Sequence, residues 1–89
     1  MLHQTVKIIN KLGLHARAAA KFVSCASKFT SDIEIKKGEK SANGKSIMGV
    51  MMLAASKHTE IELIVNGDDE QALLDAIVAL IEARFGEAE

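Results

Sequence analysis

One short segment of the chain combines residue types that could receive a phosphoryl group. His15 follows Gly13 at the start of an alanine-rich stretch, and Arg17 lies two residues further on. This spacing places His15 at the N-cap or in the first turn of a helix, where the N–H groups of Ala16 and Arg17 have no intrahelical partner. An imidazole beside free amides and a guanidinium can attack phosphorus in line and then hold the resulting dianion.

The electrostatic setting of His15 favours the same chemistry. The positive end of the helix dipole disfavours an imidazolium ion, so we expect a neutral, nucleophilic ring near pH 7. A histidine at a helix start is, however, more often a plain cap, and a helix N-terminus can bind phosphate without any chemistry. The spacing alone leaves these two interpretations open beside that of a phosphoryl acceptor.

Ser46 is a second candidate site, because a serine directly before an apolar run is typical of a helix N-cap. A phosphate at this position would strengthen the cap through its interaction with the helix dipole. Ser46 is therefore a candidate for regulatory phosphorylation, and a plain capping serine is the alternative.

The short helix predicted after Ser46 contains more apolar residues than one face can bury. Val50 and Leu53 can face the core at helical spacing, which leaves three large apolar side chains pointing elsewhere. Methionine adapts its shape easily and suits contact surfaces. We therefore predict a docking patch for a partner protein, formed by Ile47, Met48 and Met51.

The elements that must position these residues alternate between strands and helices. Alternation of apolar and polar residues predicts strands over residues 2–9, 32–37, 40–43 and 60–66. Helical spacing predicts helices over residues 16–27 and 47–53, and a last helix from a capping Asp68 to a stop at Gly86. The order β-α-β-β-α-β-α with half-buried strands predicts an α+β fold of two layers, in which an antiparallel or mixed sheet carries its helices on one face.

A single domain that spans residues 1–89 is expected from a chain of this length. The hydrophobic share of 48% and the charged share of 26% are those of an ordinary globular protein, which excludes a disordered chain. No apolar run reaches the roughly 18 residues that a membrane helix needs, and the N-terminus has no apolar signal block. Cys25 is the only cysteine and cannot form an internal disulfide, so we expect a reducing, cytoplasmic location.

The charges are distributed unevenly along the chain, although the net charge is −1. Residues 1–59 carry ten Lys and Arg against three Asp and Glu, whereas residues 60–89 carry one against nine. This split predicts a basic binding face and an acidic back, and chance segregation in a small protein is the alternative. Three Phe without Tyr or Trp offer few stacking platforms for a nucleic acid, and one Cys with three scattered His does not form a metal site.

Several motifs resemble the HPr family, the histidine-containing phosphocarriers of the bacterial phosphoenolpyruvate-dependent sugar phosphotransferase system. The matching segments are residues 13–17 (GLHAR), 19–23 (AAKFV) and 40–51 (KSANGKSIMGVM). The similarity covers the whole chain in length, element order and motif position. It implies an open-faced β-sandwich, in which three helices cover one face of a four-stranded antiparallel sheet.

The resemblance implies a phosphoryl carrier rather than an enzyme that turns over, and it implies no cofactor. Enzyme I, phosphorylated by phosphoenolpyruvate, would transfer the group to Nδ1 of His15. Arg17 and the backbone amides of Ala16 and Arg17 would stabilise the phosphate, which then passes to a histidine of a sugar-specific A component. In many bacteria an ATP-dependent HPr kinase/phosphorylase modifies the residue that corresponds to Ser46.

The resemblance also implies where partners dock. The docking residues would be Ala16, Arg17, Ala20 and Val23 on the first helix, and Ile47, Met48 and Met51 on the short helix. Partners of this family present acidic rims around apolar patches, which agrees with a basic binding face. A monomer that does not insert into a membrane is expected.

Two features depart from the family pattern. Ala18 stands where proline is usual, and it keeps an amide donor while softening the start of the helix. Ser24 and Ser27 stand where relatives often carry lysine, and Lys21 and Lys28 are the residues that would supply this charge instead.

Three other functions remain open. A paralogue that serves nitrogen regulation or a dihydroxyacetone kinase relay would keep the His15 chemistry and use different partners. A pure regulator would bind its target through Ser46 and never use His15. A small α+β RNA-binding protein is the third, and the shortage of aromatic residues argues against it.

Overall fold

The computed structural model describes all 89 residues and has four strands and three helices in the predicted order. The strands are β1 (Leu2–Lys7), β2 (Asp32–Lys37), β3 (Lys40–Asn43) and β4 (Glu60–Asn66). The helices are α1 (Ala16–Ala26), α2 (Ile47–Met52) and α3 (Glu70–Glu82), and a single 3₁₀ turn follows over Arg84–Gly86. The predicted bounds of β2, β3 and β4 are confirmed, whereas β1 ends two residues earlier than predicted.

The strands form one antiparallel sheet in the order β1-β4-β2-β3. Residues that point inward from the two central strands are fully buried, among them Ile35 and Leu63, which lie opposite each other. The other face is polar: Glu62 lies opposite Thr5 on one side and Lys36 on the other. The sheet therefore has one face in the core and one face in water, as the alternation predicted.

The core lies between the inward face of the sheet and the three helices. Helix α1 contributes Ala18, Ala19, Phe22 and Ala26, and α3 contributes Leu73, Leu74, Ile77 and Ile81. Helix α3 packs on β1 and β4, and α1 packs against both other helices. The arrangement confirms the predicted open-faced β-sandwich. None of the helices has the length and apolar character needed to cross a bilayer.

The start of α3 differs from the prediction that Asp68 caps it. The N-cap residue is Asp69, and its carboxylate makes no capping bond to the helix. Instead it accepts hydrogen bonds from the backbone N–H of Thr30 (3.0 Å) and Ser31 (2.9 Å) and from the Ser31 hydroxyl. The side chain of Glu70 accepts from the N–H of Gly67 at 3.2 Å. Tertiary contact with the segment before β2 therefore determines where this helix begins.

The end of α3 also differs from the prediction. The helix ends at Glu82, and Gly86 closes the 3₁₀ turn that follows, at φ +76°. Phe85 within this turn is 1% exposed, so the turn is fixed by burial of a large aromatic side chain. In the buried stripe of α3, Leu74 is more deeply buried than the predicted Leu80, which is half-buried. The turn directs the last residues of the chain towards the start of α1.

Candidate functional site

The loop between β1 and α1 is anchored to the segment around Ala55, and this anchoring fixes the position of His15. Gly13 has φ +68°, and a Cβ atom there would lie 2.3 Å from the carbonyl oxygen of Ala55. The N–H of Leu14 donates to that same oxygen at 2.8 Å, and the Leu14 side chain is buried. The close approach requires glycine at position 13, because any side chain would push the two segments apart. His15 is thereby presented from an anchored backbone.

His15 is the N-cap residue of α1, as the sequence predicted. Its Nδ1 accepts a hydrogen bond from the N–H of Arg17 at 3.2 Å, and 24% of its side chain is exposed. The N–H groups of Ala16 and Ala18 donate no hydrogen bond within the protein. These two amides and the helix dipole leave partial positive charge at the rim of the imidazole ring.

Arg17 adds a full positive charge beside this helix start. Its side chain is exposed and forms neither a hydrogen bond nor an ion pair within the protein. Lys21 is less available than expected from the sequence, because its Nζ donates to the carbonyl oxygen of Phe85 at 2.6 Å. Lys28 is exposed. Of the cations near His15, Arg17 is the one free to turn towards an anion.

A carboxylate that the sequence analysis did not identify contacts the other nitrogen of the ring. Oε2 of Glu87 lies 2.5 Å from Nε2 of His15, and Oε1 accepts from Nδ2 of the buried Asn10 at 3.1 Å. Burial raises the pKa of Glu87, but hydrogen bonds from His15 and Asn10, together with nearby positive charge such as that of Arg17, lower it by more. The net pKa is below the usual value of glutamate, so Glu87 is ionised at neutral pH.

The C-terminal tail brings this carboxylate into place and corrects the prediction of an acidic back. The backbone N–H of Lys11 donates to the carbonyl oxygen of Glu89 at 2.6 Å, and the Lys11 ammonium lies 3.3 Å from its carboxylate. Two acids of the C-terminal third therefore lie beside His15 and Lys11, on the face expected to be basic. The uneven charge of the chain is only partly a division between two faces.

Ser46 is the N-cap of α2, which confirms its predicted structural position. Its Oγ accepts from the N–H of Gly49 at 3.1 Å, and its carbonyl oxygen accepts from the N–H of Val50 at 2.9 Å. The side chain has no acidic or histidine partner. Ser46 is half-buried, so its hydroxyl is partly accessible from outside.

The residues predicted for docking lie on two helices that pack against each other. On α1, Ala16, Arg17 and Ala20 are exposed and Val23 is half-buried. On α2, Val50 and Leu53 are buried as predicted, and the exposed fractions are 44% for Ile47, 71% for Met48 and 41% for Met51. Three further large apolar residues are exposed and were not predicted, namely Met1 (69%), Leu12 (65%) and Met52 (73%).

Of the residues that were not predicted, Met52 could have been found from the sequence and Glu87 could not. Met52 follows directly from Met51 in a helix too short to bury both, so the same argument could have included it. Glu87 lies 72 residues from His15, and no local pattern connects the two positions. Only the fold of the tail reveals this contact.

The fold and the site together define a class of protein. A two-layer α+β domain presents one histidine at a helix N-terminus, with unpaired amides and a free guanidinium beside it, and an apolar surface on the adjoining helix. The depression beside the helix start, lined by Arg17, Lys21 and Glu87 among others, is open to solvent. This arrangement defines a small binding domain that can stabilise a phosphoryl group on a histidine and contact a partner protein beside it.

The comparisons with known proteins agree. The family model for the PTS HPr component phosphorylation site matches residues 2–83, and the chain belongs to this HPr family of phosphocarriers. Phosphocarrier protein HPr of Neisseria meningitidis is 54% identical over the full length of both chains. Phosphocarrier protein NPr of Shewanella violacea is 48% identical over 98% of this chain and 96% of its own. The crystal structure of HPr-C-His from Thermoanaerobacter tengcongensis superimposes with a TM-score of 0.96 at 49% identity, over all of both chains.

Proposed function

We propose that this protein carries phosphoryl groups in the sugar phosphotransferase system. In this proposal His15 accepts the group on Nδ1 from phosphorylated enzyme I and passes it to a histidine of a sugar-specific A component. The carrier works as a cytoplasmic monomer without a cofactor. The observation that supports it most directly is the placement of His15 Nδ1 at the start of α1, beside unpaired amides and the free side chain of Arg17.

The geometry supports an in-line transfer at Nδ1. Nδ1 faces the helix N-terminus, because it accepts from the N–H of Arg17. A phosphoryl group on Nδ1 would replace this contact with hydrogen bonds from the amides of Ala16 and Arg17. The Arg17 guanidinium would pair with the remaining phosphate oxygens, since it has no other partner to leave. These charged and polar contacts hold the dianion without a metal ion.

The proposed partners fit the surface around His15. Enzyme I and the A components would cover the exposed apolar residues of α2 and the exposed face of α1 at the same time, since the two helices adjoin. Large exposed side chains such as Met48 give a docking surface its contact area. Acidic groups on the partner would be attracted to the exposed side chain of Arg17.

We further propose that Ser46 is a regulatory site for HPr kinase/phosphorylase. Its hydroxyl caps α2 at the edge of the apolar surface formed by Ile47 and Met48. A phosphate at Ser46 would remain compatible with the cap, because an anion is favourable at a helix N-terminus. It would repel acidic partners and raise the cost of desolvating the apolar surface, so it would weaken docking.

The proposed carrier function can be tested with phosphoenolpyruvate and enzyme I. We expect the protein to acquire one acid-labile phosphate, observed by phosphorus NMR as a phosphohistidine. His15→Ala should abolish it. His3→Ala and His58→Ala are matched controls, because both of these histidines are exposed and distant in sequence from the site. Absence of a phosphohistidine in the unsubstituted protein would overturn the proposal.

A second candidate function is the corresponding relay in nitrogen regulation. The 48% identity to a protein named NPr supports it, because the same His15 chemistry would serve both pathways. The two are separated by the donor. A sugar-branch carrier should accept phosphate faster from the sugar-branch enzyme I than from its nitrogen-branch paralogue, and the reverse order would favour the second candidate.

A further inference from the structure

The imidazole of His15 is held at both nitrogens, and both contacts select the same tautomer. The N–H of Arg17 points at Nδ1, so Nδ1 carries the lone pair. The carboxylate oxygen of Glu87, 2.5 Å from Nε2, can only accept a hydrogen bond, so Nε2 carries the proton. The proton position therefore follows from two independent neighbours, one near the ring in sequence and one at the far end of the chain.

Glu87 is itself fixed by the surrounding structure. The side chain of Asn10 is fully buried, and its Nδ2 donates both to Oε1 of Glu87 (3.1 Å) and to the carbonyl oxygen of Gly13 (2.8 Å). The Glu87 side chain is 13% exposed, less than the ring it contacts. Bonds from Lys21 to Phe85 and from Lys11 to Glu89 fix the tail on both sides. A contact held by so many bonds is a feature of the fold rather than a passing encounter of two surface side chains.

We infer that Glu87 is a positioning residue for phosphoryl transfer at His15. By accepting a hydrogen bond from Nε2–H it keeps Nδ1 unprotonated as the nucleophile and fixes the orientation of the ring. Its negative charge also stabilises the positive charge that the ring gains when Nδ1 attacks. This inference rests on the proposed function, since it assumes that His15 is the acceptor.

The transfer step balances with Glu87 in this role. The lone pair of Nδ1 forms a bond to phosphorus while the P–N bond of the donor histidine breaks and its electron pair returns to the donor nitrogen. The proton on Nε2 stays in its hydrogen bond to Glu87, so the ring of the product is positive beside a carboxylate. When the group moves on, the same contact returns the ring to the neutral tautomer. A carboxylate that orients a histidine and stabilises its cation acts in this way in hydrolytic triads.

The Nε2 proton gives a direct spectroscopic test on the unphosphorylated protein. We expect a His15 Nε2–H resonance shifted far downfield and protected from exchange with water, because the hydrogen bond is short and largely shielded. Glu87→Gln, which keeps the size of the side chain and removes its charge, should move the resonance upfield. Glu89→Gln is the matched control, since that carboxylate pairs with Lys11 and not with the ring. A resonance unchanged in Glu87→Gln would overturn the inference.

Transfer kinetics complete the test. Replacing the hydrogen-bond partner that orients a metal-bound histidine typically costs about ten- to a hundredfold in activity, and we expect a loss of at least that size in the transfer rate from enzyme I for Glu87→Gln and Glu87→Ala. Glu87→Asp should recover part of the lost transfer rate. Glu89→Gln should transfer phosphate at the normal rate. An equal loss in both glutamine variants would mean a general effect of the tail and would overturn the inference. If the unsubstituted protein accepts no phosphate although the Nε2–H resonance is present, the proposed function fails and the hydrogen-bond assignment stands.

Discussion

His15 and Ser46 occupy equivalent positions at the starts of two adjoining helices, yet their surroundings differ. Each side chain caps its helix by accepting one backbone N–H, from Arg17 and Gly49 respectively. His15 also has a carboxylate at its second nitrogen, whereas the Ser46 hydroxyl has no acidic or basic partner. The carboxylate of Glu87 therefore orients His15, whereas Ser46 makes only the capping hydrogen bond.

This difference indicates how each residue can react. A neutral imidazole with a fixed proton can take a phosphoryl group directly from another phosphohistidine, because it needs no further base. A serine hydroxyl is a poor nucleophile until a base removes its proton, so Ser46 would depend on a base supplied by a kinase. The carrier's own structure would thus prepare His15 for transfer, whereas phosphorylation of Ser46 would require the base of an external kinase.

The largest expected effect is a loss of stability. It distinguishes the anchored loop before His15 from an ordinary glycine turn. Gly13 and Gly38 both have positive φ, at +68° and +61°, but a Cβ atom at Gly38 meets nothing within 4 Å. Gly38→Ala should cost about 1–2 kcal/mol of stability for the left-handed backbone alone. Gly13→Ala adds the collision with Ala55, so we expect a loss above about 3 kcal/mol in urea denaturation. Similar losses in both variants would contradict the anchoring role of Gly13.

The next effect tests whether charge at Ser46 acts on docking rather than on the fold. Ser46→Asp keeps a good N-cap and adds a negative charge beside Ile47, so stability should change little. We expect the transfer rate from enzyme I to fall about tenfold, which corresponds to about 1.4 kcal/mol. Ser46→Ala is the control. It should lose about 1 kcal/mol of stability with its cap and transfer phosphate at the normal rate. Equal transfer rates in all three proteins would count against regulation at Ser46.

The smallest effect concerns the start of α3, where a carboxylate serves the fold alone. Hydrogen bonds from the Ser31 hydroxyl and the Thr30 and Ser31 amides lower the pKa of Asp69 from 3.8 to about 2, against a smaller opposing effect of burial. The folded state therefore binds this proton less tightly than the unfolded chain, and the stabilisation is complete above pH 3.8 and lost as the pH falls to about 2.

Stability measured between pH 5 and pH 2 tests this assignment. The unsubstituted protein should lose stability across the window, and Asp69→Asn should be less stable at neutral pH with a flatter dependence on pH. Asp68→Asn is the matched control and should retain the slope, because its side chain lacks these bonds. A slope that survives in Asp69→Asn would place the titrating group elsewhere. Phosphoryl transfer at pH 7 should differ little between the two variants.

Local sequence patterns predicted most of the fold and half of the site. Alternation located β2 and β4 because each buries every second side chain, and the serine before an apolar run located the start of α2. The same rule failed at α3, where Asp68 and Asp69 are both acceptable caps in sequence. The choice between them depends on Thr30 and Ser31, which approach only after the chain has folded.

The sequence by itself located His15 at a helix start with Arg17 beside it, the capping Ser46, and the apolar residues that follow Ser46. These features depend on spacing within one or two turns of a helix, and such spacing is a property of the local chain. The tertiary structure alone decided which carboxylate contacts the second ring nitrogen of His15. Glu87, which Asn10 holds by a hydrogen bond, contacts His15 because Phe85 is buried and the tail turns back over the loop after β1. That contact depends on packing between the two ends of the chain. Such packing produces no periodic pattern in the sequence of either end.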